Sequence, residues 1–241
     1  MNETSNFNGF PGECVRFLFE LRHNNNREWF NEHKSDYDSF VKVPTQEFAG
    51  EMAMILEELS PAEGSAPQVS FSIFRIYRDI RFSKDKTPYK THIGVLFWEG
   101  KGPKMENSGY YFHLEPPNLM LGTGIHTFSK TLLKAYRDSV VDPEFGLELE
   151  KAIEKTTQQG QYSIGGKHYK RVPRGYDPED ERAGFLLFNG LYAGVETEIP
   201  TELYSDKILD YCLEKYRGMI PVHYWLYDMT GRAGTSINGT G

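Results

Sequence analysis

The sequence predicts an α+β fold: an antiparallel meander sheet of about four central strands, flanked by N-terminal and C-terminal helices. Three observations predict it. Apolar residues recur at helical spacing in the first third and again from residue 129 onward. From Val69 the period changes to two. The period-two segments are joined by short turn-rich links at 83–88, 99–107 and Pro116-Pro117-Asn118, and links of that length favour antiparallel neighbours.

The elements follow in order. Cys14, Phe17, Leu18 and Leu21 form a helical stripe, ended by Asn24-Asn25-Asn26. Asn26 can cap a second helix that opens Arg27-Glu28-Trp29-Phe30. Pro44 is expected to kink or break the pattern before Phe48, Met52, Ile55, Leu56 and Leu59 resume it. Strands are expected at 71–82, 89–98, 109–115 and 119–126. Helices return at 129–141 and 144–157, followed by a basic loop at 162–176 and a short helix at 185–191. A last stripe through Ile208, Leu209, Cys212, Leu213 and Tyr216 should stop at Gly218, with Pro221 beginning one more short helix. Residues 7–230 read as one domain and 231–241 as a disordered tail.

Composition narrows the function classes. The chain has 241 residues, 39% of them hydrophobic, enough for a real core. A formal net charge of −7 gives no general attraction to nucleic acid or anionic membranes, so attraction to anions must come from a local cluster. Two distant cysteines, Cys14 and Cys212, fit neither a zinc site nor a disulfide framework, and a reducing compartment suits them. With no basic, apolar leader and no membrane-length run, the expected location is cytoplasmic.

Side chains on a strand alternate between faces, and turns fix which residues lie opposite. Placing 82 opposite 89 makes Asp79 face His92, Arg81 face Lys90 and Tyr77 face Gly94. Placing 98 opposite 109 makes His92 face Glu115 and Gly94 face His113. Pairing Glu115 with Asn118 sets His113 against Met120 and Tyr111 against Gly122. One face then collects Phe74, Ile76, Ile80, Phe82, Tyr89, Ile93, Val95, Phe97, Tyr110, Phe112, Leu114, Leu119, Leu121 and Ile125, with Arg78 its one charged intruder. The other collects Arg75, Tyr77, Asp79, Arg81, Lys90, His92, Tyr111, His113 and Glu115 beside Gly94, Gly122 and Gly124.

Read for function, that second face is a polar pocket floored by glycines. Asp79, His92, His113 and Glu115 would move protons. Arg75, Tyr77, Arg81, Lys90 and Tyr111 would hold an anionic ligand, phosphorylated or carboxylated. Read without a ligand, it is a packed network of mutually satisfied ion pairs. Lys84 and Lys86 belong to the loop 83–88, and from Arg75 to Lys90 six Lys or Arg face two Asp. That loop would bind a phosphate, or would be a solvated hairpin tip whose lysines block edge association. The basic run Lys167 to Tyr176 would close over the same site.

Several motifs fail. In Gly160–Lys167, Gly166 stands where a P-loop needs lysine, and His168 follows Lys167 in place of Ser or Thr. Gly122-Thr123-Gly124 lacks the third glycine of a dinucleotide fingerprint, and no G-x-S-x-G occurs. His113-Leu114-Glu115 lacks the paired cysteines of zinc deaminases. Together with His92 these residues could ligate a metal of mixed type, but histidine pairs on sheets are more often structural, and no metal is assigned. The residues name no cofactor and no oligomeric state.

Asn26-Arg27-Glu28-Trp29-Phe30 resembles an early motif of a widespread bacterial and fungal family of unknown function. The stretch F-R-I-Y-R-D-I-R-F-S-K-D-K-T-P-Y-K-T-H at Phe74–His92 resembles its central signature. Gly109–Pro116 and Arg171–Pro178 are similar to later family blocks in the same order. The resemblance runs from about Phe10 to Trp225. It departs at Ile125-His126, where an aromatic such as Trp follows the glycines in many members, and His126 is left out of the site on that ground as well as on register. The resemblance implies one domain and supplies no activity.

Two functions from different classes are therefore expected. One is an enzyme or small-ligand binder acting on an anionic compound at the sheet face. The other is a non-enzymatic module that docks the basic hairpin 81–90 on an acidic partner or nucleic acid, with nucleic acid disfavoured by the overall acidity.

Overall fold

A computed structural model describes residues 7–60, 68–99 and 104–238. Helix α1 (Gly12–His23) buries Cys14, Phe17, Leu18 and Leu21 along the predicted stripe. Asn26 caps α2 (Arg27–Glu32) by accepting from the Trp29 backbone N–H at 2.9 Å. Short α3 (Lys34–Asp36), a π-helical stretch (Tyr37–Lys42) and α4 (Val43–Leu56) then follow directly on one another. The expected break at Pro44 takes the form of the π stretch, with the Val43 N–H bonded to the Asp38 carbonyl. Proline removes one N–H and crowds the carbonyl four residues back, and the wider turn accommodates both.

Six strands, not about four, form one antiparallel sheet in the order β1-β2-β3-β4-β6-β5. They are β1 (Ser70–Ile73), β2 (Ile93–Trp98), β3 (Gly109–Glu115), β4 (Asn118–Ile125), β5 (Ser163–Lys167) and β6 (Phe188–Glu198). The α+β class and the central meander stand. The additional strands replace part of the loop expected at 162–176 and most of the short helix expected at 185–191. In β6, Leu191, Ala193 and Val195 are buried while the alternate positions include Gly190 and Gly194. Glycine erases the polar half of a period-two pattern, which is why the strand does not read as one.

Two of the three expected registers hold. Trp98 pairs with Gly109 and Gly94 with His113, while Glu115 pairs with Asn118 and Tyr111 with Gly122. The first hairpin does not form as expected. Strand β1 ends with Ile73 opposite Val95, and beyond it an isolated bridge joins Tyr77 to Tyr89. These two pairs do not share one register, so the segment between them is not a continuous strand. Arg78, the charged intruder on the expected core face, is the physical reason. Its guanidinium bonds Asp85, the Thr87 carbonyl and the Thr87 hydroxyl, folding 78–88 into a self-satisfied loop. Phe82, expected in the core, is 95% exposed there.

The loop is anchored from the N-terminal helices. Asn25 both donates to the Tyr89 carbonyl and accepts from the Tyr89 N–H, each at 3.0 Å. Phe30 stacks on Tyr89 with ring centroids 4.1 Å apart. The early motif and the central signature are thus one structural joint.

Helices α5 (Lys130–Val141) and α6 (Pro143–Thr157) start at the caps Ser129 and Asp142. Helix α7 (Lys207–Asn238) runs past Gly218 and Pro221 and into the residues expected as a tail, of which 239–241 lie outside those described. Gly218 is a close-contact residue and not a stop: a Cβ there would fall 2.2 Å from the Tyr162 hydroxyl. Helix α4 lies on β1 and β2, and α7 on β4 and β6. Between them and the sheet Phe48 packs 4.5 Å from Phe112, and Tyr110 packs 5.1 Å from Tyr216. Val95, Phe97, Leu114, Leu119 and Leu121 complete this buried face, each worth about 1.5–3 kcal/mol. Among the described residues no helix is long and apolar enough to cross a membrane.

Candidate functional site

Because successive strand residues alternate, burying Phe112 and Leu114 against the helices turns Tyr111, His113 and Glu115 to the opposite face. There Gly94 and Gly122 are the cross-strand neighbours of His113 and Tyr111. Leu96, Trp98, Tyr111, His113 and Met120 on this side are only half-buried. A cleft of about 310 Å³ opens on it, lined by Arg22, His113, Glu115, Pro116, Pro117, Asn118, Met120 and Glu196.

The chemistry gathers at one end. His92, directly before β2, lies with its ring centroid 4.2 Å from that of His113. His113 Nε2 is 3.4 Å from Glu115 Oε2, and His113 Nδ1 is 3.0 Å from the Tyr111 hydroxyl. Glu115 Oε1 accepts from Thr91 Oγ1 at 2.8 Å and from Arg22 Nη2 at 3.1 Å. One ligand-type atom from each of His92, His113 and Glu115 lies within 4.8 Å of the others.

Burial, and then the neighbouring His113, pull the His92 pKa down to about 4, with Lys90 adding to the effect and Glu115 opposing it. His92 is therefore a neutral base near pH 7. Burial alone would raise Glu115, but hydrogen bonds from Thr91, His113 and Arg22 outweigh it and hold the carboxyl below its ordinary value. Burial, then Arg75, lowers the Lys90 pKa. Burial, then Glu115, raises that of Tyr111.

Beside the histidines lies a cationic rim. The Lys90 and Lys104 ammonium groups stand 5.2 and 5.5 Å from the centre of the Phe74 ring, which meets Tyr111 edge-on at 6.0 Å. Arg75 is close enough to act on Lys90. Among the described residues neither Arg75 nor Lys90 forms an ion pair with a carboxylate, whereas Arg81 pairs with Asp79.

Of the expected site residues, the structure brings together His92, His113, Glu115, Tyr111 and Lys90, with Arg75 close enough to act on both Lys90 and Asp79. It leaves Asp79 outside the row. Asp79 accepts from Arg81 at 3.0 and 2.7 Å, and the groups that act on His92 are His113, Glu115 and Lys90. The cause is the early end of β1. Tyr77 instead lines a second cleft of about 310 Å³ with Arg27, Asn31, Arg78, Ile80, Pro88 and Tyr89. Lys86 donates to the Ile80 carbonyl within the loop, and Lys84 is exposed. His126 is exposed and stacks on Tyr192 at 5.5 Å. The run from Lys167 starts on β5, beyond β4 and β6 from His113.

Sequence reasoning missed Arg22, Thr91 and Lys104. Thr91 adjoins His92 and carried that signal, but Arg22 reads as an ordinary last-turn helix cation. It also missed a buried polar cluster under α7. His223 Nδ1 lies 2.8 Å from the Ser108 hydroxyl, its Nε2 lies 3.9 Å from Glu99 Oε1, and Ser60 donates to Glu99. His223 stands seven residues after Tyr216 on the buried stripe, the one sequence cue to its position. His223 is fully buried and Glu99 is 4% exposed, and the cluster helps seat α7 on the sheet.

A search of curated proteins finds no match. A family described as conserved hypothetical protein (DUF2461) matches residues 13–225, a span that contains the N-terminal helices, the whole sheet, both clefts and most of α7. The chain belongs to that conserved hypothetical protein family.

Proposed function

We propose that the open sheet face binds a small anionic compound, phosphorylated or carboxylated, with Arg75 and Lys90 as its anchors and His92, His113 and Glu115 as the groups that exchange protons with it. The observation that carries this reading is the meeting of an imidazole–imidazole–carboxylate cluster with two cations, Lys90 and Arg75, neither of which forms an ion pair with a carboxylate among the described residues. A charge-assisted contact from each cation would fix the anion, and the neutral His92 beside it would accept a proton. Tyr111 and Thr91 hold His113 and Glu115 in place from the protein side. Free, buried cysteines fit the cytoplasmic setting expected from the sequence.

Calorimetric titration of the full chain with inorganic phosphate and with citrate tests the reading. Binding of at least one, lost in the Arg75→Ala/Lys90→Ala double variant, is expected. No binding of either anion, or binding untouched by the double variant, would contradict it.

A second reading rests on Phe82, which is 95% exposed beside Arg81 in the cationic loop. There the loop 81–90 docks on an acidic protein partner, Phe82 supplying apolar contact and Arg81, Lys84 and Lys86 the charge. Such docking weakens with salt and is lost in Lys84→Glu/Lys86→Glu, whereas the first reading is indifferent to that pair of changes.

A further inference from the structure

We propose that His92, His113 and Glu115 bind one divalent transition-metal ion, leaving its outer positions open for water and for the anionic ligand. The inference rests on the reading above in taking this face as the working site, and it gives the same three residues an ion to hold beside the anion. Imidazole and carboxylate together suit first-row divalent ions such as Zn²⁺ or Fe²⁺.

Spacing is the first argument. Ligand atoms about 2.0–2.2 Å from a tetrahedral ion stand about 3.3–3.5 Å from each other. His113 Nε2 and Glu115 Oε2 are already 3.4 Å apart, and a ligand atom of His92 lies within 4.8 Å of the set, so an ion would draw His92 inward. A histidine–carboxylate hydrogen bond would explain the first distance. It would not explain why a second imidazole lies tilted beside the pair, its ring centroid 4.2 Å from that of His113, with no hydrogen-bond partner of its own among the described residues.

The outer contacts are the second argument. Metal-ligating imidazoles usually hold their far nitrogen against a fixed polar partner, and ligating carboxylates are themselves hydrogen-bonded. His113 offers Nδ1 to the Tyr111 hydroxyl, which leaves Nε2 turned inward. Thr91 and Arg22 both occupy Oε1 of Glu115, which leaves Oε2 turned to the same point. Both inner atoms are thus presented together from the protein side.

Rigidity is the third. His113 and Glu115 are two residues apart on β3, with β2 on one side and β4 on the other. His92 directly precedes β2 and is tied to the same frame. Two of the three ligands are thus preset on one strand, and only His92 has to adjust to an ion.

The test is calorimetric titration of chelator-treated full chain with Zn²⁺ alone, paired with the visible spectrum of the Co²⁺ form. One ion per chain is expected. Tyr111→Phe should lower Zn²⁺ affinity by about tenfold or more, and His113→Gln or Glu115→Gln by more still, with loss of the Co²⁺ bands. Circular dichroism checks folding. If a ligand variant fails to fold, Tyr111→Phe and the Co²⁺ spectrum of the unaltered chain decide. Absence of stoichiometric Zn²⁺ binding, or equal binding by His92→Gln, His113→Gln and Glu115→Gln, would overturn the proposal. The unaltered chain separates the two readings: Zn²⁺ bound without phosphate or citrate sinks the anion site alone, and anion bound without Zn²⁺ sinks the metal alone, whereas Arg75→Ala/Lys90→Ala should lose the anion and keep Zn²⁺.

Discussion

At the scale of single residues, neighbours on β3 have opposite duties. Phe112 is fully buried against α4, whereas His113 faces the cleft. Phe112→Ala should cost about 3–5 kcal/mol in urea unfolding, while His113→Gln should stay within about 1 kcal/mol and remove binding. Gly94 is a finer probe. A Cβ there would stand 2.8 Å from the Tyr111 hydroxyl and 3.2 Å from Phe74, both ends of side chains that can move. Gly94→Ala should therefore leave the fold intact and push Tyr111 off His113 Nδ1, visible as a shift of the His113 ring resonances. Asp85 gives the pH test. Hydrogen bonds from the Thr87 N–H, then from Arg78 and the Thr87 hydroxyl, pull its pKa down to about 2. A lowered carboxyl pKa means the loop clamp is complete above the ordinary value of 3.8 and is lost as pH falls toward about 2. The Asp85 carboxyl resonance should report that midpoint, and Arg78→Ala should move it upward.

At the scale of elements, the central signature is a delivery device. The joint between Asn25 and Tyr89 carries 78–90 across from α2 and sets Thr91 and His92 at the mouth of β2. Asn25→Ala removes both hydrogen bonds to a residue that is 4% exposed, so a loss of about 2 kcal/mol is expected, with faster amide exchange at Lys90 and Tyr89. Removing the Phe82 ring should change stability by less than about 0.5 kcal/mol, since nothing buries it. Legibility follows the same division. Strands β2, β3 and β4 could be read, register included, because Phe112, Leu114, Leu119 and Leu121 alternate with Tyr111, His113, Glu115, Asn118 and Gly122 and the links are short, although Leu96 and Trp98 blur the alternation in β2. His113 and Glu115 came with them. Asp79 and Arg81 could not be placed, because one arginine at position 78 satisfies itself locally and ends the strand, a choice that a period-two pattern does not reveal. Helix α7 reads as two pieces in the sequence because Gly218 looks like a stop and Pro221 like a new start, and only the Tyr162 contact shows what the glycine is for.

At the scale of the whole molecule, α4 and α7 seal one face of the six-stranded sheet, and the other keeps its imidazoles, carboxylates and cations reachable. That asymmetry makes a site possible in an acidic chain with a net charge of −7: Lys90 and Lys104 lie over Phe74, and Lys90 is close enough to act on His92. The two clefts share no lining residue: one holds His113 and Glu115, and the other holds Tyr77 and Arg78 of the segment 74–92. The decisive measurement is long-range ¹H–¹⁵N correlation of the seven histidine side chains in the full chain, first with phosphate added and then with Zn²⁺. The expected result is movement confined to His92 and His113, with His126 and His168 unchanged. Spectra in which His92 and His113 stay still, or in which all exposed histidines move alike, would contradict a working centre on this face.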